Sequence, residues 1–574
     1  MTDGIEATGF GVRYVGRSTP ALHDLTFSVR PGELLGVAGA TGAGKSTLAL
    51  ACATFIPRVV RAKVEGSLHV AGFDAPASAA ADGLGKVGIV FSTPANQLSA
   101  SKPTVREELA FGLENLAVPH DEMDRRIDAV LERLGIAHLA DREPFALSGG
   151  EQQRVAIASI VAMDPAVLIV DEPTAQLDPL GTEAIADLLR EVVRDGRAVL
   201  AAEHAPAILA AAGQVLVLAR GEGLALDVPG VALGPGTAHA AGIRTPTLVA
   251  LAAALGLPPA QAFDETAIAR ALERADPVGT ANAVTALRAG DSGVAPSWPP
   301  PAAPTPPIHV EGVVHRYGDD VLALAGVDLR LEPGQRVAIV GRNGSGKTTL
   351  AKHLNGLLRP ASGRVVIGGS DIASEPVHRL AASVGFVFQH PDDQLFERSV
   401  LREVSFGPRN LGRSADETGR LTEAALAATG LADDRATNPY DLDLSRRKLV
   451  ALASVLAVDP PVVVLDEPTT GQDAAGVARI GAIVDALAAG GRTVIAITHD
   501  MELAAGHFER IVVMREGRIA ADGSPRDVFA SGGEALLEAT GLRLPPAARI
   551  AVRLGWTGVA TEADLATRLI GRGG

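Results

Sequence analysis

The sequence predicts an α/β protein built from two tandem copies of one unit, and three observations carry that prediction. A glycine-rich loop occurs twice, as Gly39-Ala-Thr-Gly-Ala-Gly-Lys45-Ser46-Thr47 and Gly341-Arg-Asn-Gly-Ser-Gly-Lys347-Thr348-Thr349, at an offset of 302 residues. An apolar run closing on Asp-Glu also occurs twice, ending at Asp171-Glu172 and Asp466-Glu467, at an offset of 295. Short apolar runs alternate with helix-sized stretches in both halves, which is the pattern of a largely parallel sheet covered on both faces.

The 574 residues suffice for several domains, and 47% hydrophobic with 21% charged is ordinary globular composition. Only 3% is aromatic, so the core is expected to be Ala, Val, Leu and Ile. A net charge of −15 argues against a nucleic-acid binder and against a basic surface drawn to anionic lipid. The single cysteine, Cys52, permits no internal disulfide and no cysteine zinc site, and reads as a small buried apolar side chain. Met1-Thr2-Asp3-Gly4 opens without a basic region and apolar run, so no signal peptide is expected. No apolar stretch approaches the ~18 residues of a membrane-spanning helix. Any membrane role is expected to come through a partner.

In chain order, residues 1–225 form the first copy, with strands expected at Leu34–Ala38, Val167–Val170 and Ala198–Ala202. Residues 226–295 are Ala- and Leu-rich with helical periodicity at Thr247–Leu255 and Ala267–Arg274, and read as a helical appendage. Residues 296–307, including Trp298-Pro-Pro-Pro-Ala-Ala-Pro-Thr-Pro-Pro307, read as an exposed, semi-rigid polyproline spacer. The second copy, 308–530, repeats the strands at Arg336–Val340, Val462–Leu465 and Thr493–Ile497. Residues 531–574 form a second helical appendage, with its helical stretch at Leu536–Arg568.

Each loop sits between a strand and a helix, the context in which glycines let backbone N–H groups close on phosphate. Gly39, Gly42 and Gly44, with Gly341, Gly344 and Gly346, are the cradle candidates. Lys45 and Lys347 would reach the β- and γ-phosphates, and Ser46 and Thr348 would ligate Mg²⁺. Asp171 and Asp466 end buried strands, where a carboxylate is costly unless it binds something, and Mg²⁺ meets that need. Glu172 and Glu467 are placed to orient or deprotonate a water attacking the γ-phosphate. His204 and His499, again 295 apart, follow later strands as γ-phosphate sensors.

Leu147-Ser148-Gly149-Gly150-Glu151-Gln152-Gln153-Arg154 precedes the first Asp-Glu strand and resembles the signature motif of ATP-binding-cassette ATPases. The resemblance covers nearly the whole chain. It implies two P-loop (RecA-like) nucleotide-binding domains, each with a helical subdomain carrying the signature. It further implies that ATP and Mg²⁺ are bound with Thr47 and Thr349 in the loops, and that adenine stacks on Tyr14 and Tyr317. Ser148, Gly149 and Gly150 would grip nucleotide held by the opposite copy, so the halves would pair head-to-tail. Asp178 and Asp473 match the family's interface loop, and Gln389 its Mg²⁺ and coupling glutamine.

A narrower resemblance rests on Val387-Phe-Gln389-His-Pro-Asp-Asp-Gln394-Leu-Phe and Glu403-Val-Ser-Phe-Gly-Pro-Arg-Asn-Leu-Gly412, echoed by Val90-Phe-Ser92 with Gln97-Leu and by Glu108–Leu116. Together with Gly541-Leu-Arg-Leu-Pro-Pro546, these are similar to the ATPases of energy-coupling-factor importers. That resemblance implies a motor subunit on the cytoplasmic face of a prokaryotic membrane, driving uptake of a vitamin or transition-metal ion. Its partners would be a membrane T component for coupling and an S component for substrate capture, with no nucleic acid. The surface around Gln389–Leu395 and Phe406 would receive the T component. Two other readings stay open: the fused ATPase of another importer, such as one for sugar, and a soluble tandem protein acting on ribosomes or DNA. The last calls for basic arms, an arginine-rich linker or zinc cysteines.

The copies are not equivalent. A gapless alignment at offset 295 sets Asp443-Leu444-Ser445 opposite Ser148-Gly149-Gly150, and Ser92 stands where the second copy has Gln389. One competent site is expected, on Lys347, Asp466, Glu467 and Gln389, and one impaired site, on Lys45, Asp171 and Glu172. An Asp443 carboxylate ~5 Å from a phosphate charge would cost about 3 kcal/mol at an effective dielectric near 20, which Arg446 or Arg447 could offset.

Overall fold

The computed structural model describes residues 4–78, 80–174, 177–289, 298–318, 321–529 and 533–571. The chain divides into two compact units, 1–268 and 269–574. The expected strands form within a residue of their predicted bounds, and each unit contains the same pair of sheets.

In the first unit the six-stranded sheet runs in the order Glu222–Asp227, Gln214–Ala219, Leu34–Gly39, Ala198–Ala202, Val167–Asp171 and Val87–Val90. Of its five pairings four are parallel, and only the outermost strand Glu222–Asp227 turns back antiparallel. Strand Val167–Asp171 shows why both faces are covered. Val167 and Ile169 join one core and Leu168 and Val170 the other, the two-residue alternation of a strand buried on both sides. The second unit repeats this with Val462 and Val464 on one face and Val463 and Leu465 on the other.

Each unit also carries a four-stranded antiparallel sheet that the apolar runs did not announce. In the first unit it is ordered Leu22–Val29, Ile5–Tyr14, Ala62–Val70, Phe73–Asp74. Its central strand Ile5–Tyr14 shifts register between Thr8 and Gly11, which breaks the plain alternation a sequence reading depends on. This sheet delivers Tyr14 in one unit and Tyr317 in the other, each the last residue of its central strand.

The helical subdomain of the first unit comprises Val105–Asn115, His120–Arg133 and Gly149–Ala162. The first of these opens on a full capping box between Thr104 and Glu107. Cys52 is wholly buried, and burial pushes its thiol up to about 12, consistent with an apolar role.

Two expectations change. The Pro-rich stretch does not begin as an exposed spacer: Trp298 is buried in the core of the second unit, Pro299 O accepts from the Arg492 guanidinium, and Thr305 donates to Gly491 O. Residues 296 and 297 lie outside the described residues. An indole that can be sunk into a neighbouring core outweighs the exposed habit of the prolines around it. The segment read as the end of the first appendage also falls elsewhere. From residue 269 it belongs to the second unit, where helix Pro277–Ala289 packs against Glu562–Ile570. The second appendage is itself core, since Leu537, Leu542, Leu544 and Ala548 share one apolar cluster with the helical subdomain.

Candidate nucleotide sites

Both glycine-rich loops leave the C-terminal end of a central parallel strand, where an open α/β sheet binds its ligands. Gly44 and Gly346 take φ of 109° and 100° as they enter their helices. A Cβ at Gly44 would lie 2.7 Å from Ala21 O, and one at Gly346 2.4 Å from Ala323 O, so both conformation and space require glycine there. Gly42 and Gly344 are also left-handed, while a Cβ at Gly39 or Gly341 would strike the backbone of the adjacent strand. At all six positions, then, either a left-handed backbone or a backbone clash calls for glycine.

The lysines are buried and donate back into their own loops. Lys45 Nζ reaches Gly39 O at 2.9 Å and Ala40 O at 3.3 Å; Lys347 Nζ reaches Gly341 O at 2.7 Å and Arg342 O at 2.8 Å. Beside them, Ser46 Oγ donates to Asp171 Oδ1 at 3.1 Å and Thr348 Oγ1 to Asp466 Oδ1 at 3.2 Å. Burial, reinforced by the neighbouring glutamate, pushes Asp171 and Asp466 each up to about 6. The lysines nearby, Lys45 at Asp171 and Lys347 with Lys352 at Asp466, pull both carboxylates down but do not offset their burial. A hydroxyl beside each, with room left for water and phosphate oxygens, is a donor set that fits a hard divalent cation such as Mg²⁺. In the second copy, Ser345 Oγ is buried without a hydrogen-bond partner among the described residues, an orphan donor in the cradle itself.

Glu172 and Glu467 follow directly, at φ of 49° and 48°, a left-handed conformation that non-glycine residues rarely adopt. That turn aims the carboxylates back at the loops. Glu172 Oε1 lies 3.6 Å from Lys45 Nζ and 3.3 Å from His204 Nε2, and Glu467 Oε2 lies 2.8 Å from His499 Nδ1. Burial alone would raise both glutamates, but the histidine and lysine beside each more than offset it and hold both low. Burial would likewise lower His499, yet the Glu467 pair holds it above its ordinary value. Each site thus keeps an ionised carboxylate beside its histidine.

Tyr14 OH and Thr47 Oγ1 are hydrogen bonded at 3.0 Å, and Tyr317 OH and Thr349 Oγ1 at 3.3 Å, so each tyrosine is fixed at the start of the loop helix. Gln389 and Ser92 lie just beyond the strands Val384–Val387 and Val87–Val90, both half-buried. Asp178 and Asp473 cap their helices, accepting from Gly181 N at 2.8 Å and Gly476 N at 2.9 Å.

The structure upholds the gapless alignment of the signature region: Ser148 and Asp443 are the N-caps of equivalent helices, Gly149–Ala162 and Leu444–Val458. Asp443 accepts from Arg446 N at 2.9 Å. The suggested compensating cations are spoken for, however. Arg446 pairs with Asp434, and Arg447 with Asp392 at 2.7 Å. Leu395 also departs from expectation: it is core, and the exposed side chain is its neighbour Phe396.

Three residues were missed. Lys448, at the position of Gln153 in the first copy, is buried with Nζ donating to Glu467 O at 3.0 Å; burial lowers it to about 8 against the pull of Glu467 and Asp466. Glu203, where the second copy has Thr498, is buried and accepts from Thr174 N at 3.2 Å and Ala205 N at 3.0 Å. Gln472 exchanges two hydrogen bonds with Ser445, at 2.9 and 3.0 Å, tying the interface loop to the altered signature helix. The signal was available in each case as a difference between the repeats at offset 295.

The family model described as "ABC transporter" matches residues 22–175 and 324–470. A protein of Methanosarcina acetivorans is 37% identical over 94% of this chain and 88% of its own length. One of Streptomyces coelicolor is 35% identical over 90% of this chain and 93% of its own. Both are provisionally named ABC transporter ATP-binding proteins. Among solved structures, cbiO1 of Clostridium perfringens, described as part of the ABC transporter complex cbiONQ, is 36% identical. It covers 43% of this chain and 98% of its own, at a TM-score of 0.37.

Proposed function

The chain belongs to the ABC transporter family as an ATP-binding subunit with two ATPase domains, and from that premise we propose that it is the motor of an energy-coupling-factor importer. Its cargo would be a vitamin or a transition-metal ion, taken up at a prokaryotic membrane. No helix among the described residues is long and apolar enough to cross a membrane, so the proposed T and S components would supply the translocation path.

One observation carries the reading. Phe396 and Phe406 stand in the segments that resemble importer ATPases, their rings 4.7 Å apart edge to face, and they are 58% and 36% exposed. Beside them, the Tyr440 hydroxyl donates at 2.6 Å to Leu395 O, on the residue before Phe396. An edge-to-face aromatic pair left in water beside the Gln389 loop suits the apolar side of a coupling helix.

In each site the lysine and the loop amides would hold the nucleotide phosphates, and the tyrosine its base. Mg²⁺ would supply positive charge to the β- and γ-phosphate oxygens. Glu467 would hold the attacking water and accept its proton, steadied by His499. In the working assembly the halves would pair head-to-tail, with Ser148, Gly149 and Gly150 completing the nucleotide site of the second copy.

Phe396→Glu should remove the membrane partners from a co-purified complex, a loss of at least tenfold in recovery, while soluble ATP binding stays unchanged. Recovery of the intact complex with this variant would defeat the proposed docking surface.

A further inference from the structure

The first unit contains a cavity of ≈ 280 Å³ where helix His120–Arg133, the end of helix Gly149–Ala162 and the end of helix Pro179–Arg194 converge. Val130, Leu168 and Val192 line its apolar part, and Arg197, paired with Asp164 at 2.7 Å, lines its polar part. Nothing in the nucleotide chemistry uses it.

The duplication shows what such a place can hold. One repeat later, Arg492 pairs with Asp459, the counterparts of Arg197 and Asp164. Arg492 is 0% exposed, whereas Arg197 is 34% exposed. The cover over Arg492 is the segment Trp298-Pro299. The indole is buried in one cluster with Leu487 and Ala428, which correspond to Val192 and Arg133 of the cavity. Pro299 O accepts from Arg492 Nη1, and Trp298 O lies 3.0 Å from where a Cβ on Gly490 would stand. Among the described residues, the Arg197 guanidinium pairs with Asp164 alone.

We propose that the cavity of the first unit is a peptide socket, taking an aromatic side chain followed by proline, with Arg197 donating to the carbonyl of that proline. The occupant comes from a partner protein. The chain holds two tryptophans, of which Trp298 is already seated in the second unit and Trp556 is followed by Thr557. The lining favours an aromatic ring over an aliphatic chain. Arg126 and Arg133 stand where the second copy has Leu421 and Ala428, and each guanidinium is held by a carboxylate: Glu122 at 2.7 Å and Glu191 at 2.9 Å. Planar, fixed guanidinium groups stack well on aromatic faces. The socket joins the subdomain that carries Ser148, Gly149 and Gly150 to the end of the sheet, so its occupant braces one against the other.

The test uses the full chain and a fluorescein-labelled Pro-Ser-Trp-Pro-Pro-Pro peptide, followed by anisotropy and calorimetry. One saturable site per chain is expected. Affinity should fall at least tenfold when the peptide's Trp is replaced by Ala, in Arg197→Ala, and in the cavity-filling Val192→Trp. Trp298→Ala empties the second socket, and stoichiometry should rise to two. Absence of binding to the native chain overturns the proposal, and so does a Trp298→Ala chain that gains its only site through that substitution. Self-association of the native chain that vanishes in Trp298→Ala assigns the occupant to a second copy and overturns the partner source. Should Trp298→Ala fail to fold, Val192→Trp against the native chain decides alone.

Discussion

The two nucleotide sites agree in the lysine, hydroxyl, aspartate and tyrosine that would meet phosphate, metal and base, and differ at Gln389 against Ser92 and in the layer behind. Lysine to loop carbonyl, hydroxyl to strand-end aspartate and tyrosine to threonine are superposable relationships, and Asp171 and Asp466 are raised to the same value. Behind them, Glu467 is nearly enclosed, at 7% exposure, with Lys448 on its carbonyl; Glu172 is 28% exposed and has Gln153 at the corresponding place. The lesson is that two copies can bind the same ligand while their bases are seated differently, because seating depends on neighbours that never meet the ligand.

The sharpest way to break this comparison is to neutralise each base in turn. In the full transport complex, Glu467→Gln should lower ATP turnover by about 10²–10³, while Glu172→Gln leaves substantial activity. Equal losses would mean that the sites fire in obligatory alternation, or that Asp443 does not weaken the site it faces.

A smaller effect isolates the second layer. Lys448→Met removes the buried Nζ donor of Glu467 O and leaves that carbonyl the longer bond from Thr470 N at 3.4 Å, a cost of about 1–1.5 kcal/mol that should reach the transition state. Turnover should fall about tenfold with ATP affinity within a factor of two, and Lys448→Gln should restore part of it. A change in affinity with constant turnover would show that Lys448 serves binding instead.

The smallest effect probes what the sites share. A carboxyl raised to about 6 in the folded chain keeps its proton where the unfolded chain has lost it. The stability this gives is complete below about pH 4 and lost as pH climbs through 6. Asp171→Asn and Asp466→Asn should therefore each stabilise the Mg²⁺-free chain by about 1–3 kcal/mol at pH 7.5, and by nearly nothing at pH 4. Scanning calorimetry of each unit's transition at the two pH values would show it. A gain in one variant only would contradict the shared inner layer.

Much of the site was legible because phosphate loops and strand-end carboxylates are local patterns, read within ten residues of chain. Lys448 was not, since its meaning lies in a carbonyl on another element, and a lysine beside two arginines reads as a solvated helix face. Leu395 and Phe396 were misassigned by one residue, which in an irregular loop is enough to exchange core for surface. Trp298 was hidden by its prolines. The antiparallel sheet was hidden by the register shift in Ile5–Tyr14.

The seating of Trp298 and of helix Pro277–Ala289 in the second unit has a consequence for synthesis. These segments leave the ribosome before any strand of that unit, yet they pack with residues as late as Ala560 and Glu562–Ile570. The first unit can close as soon as its own residues have emerged. The second must hold an unburied indole until the region of Gly490 and Arg492 has been made, and an unpartnered helix until Glu562–Ile570 has followed, so the nascent chain carries apolar surface that a chaperone could recognise.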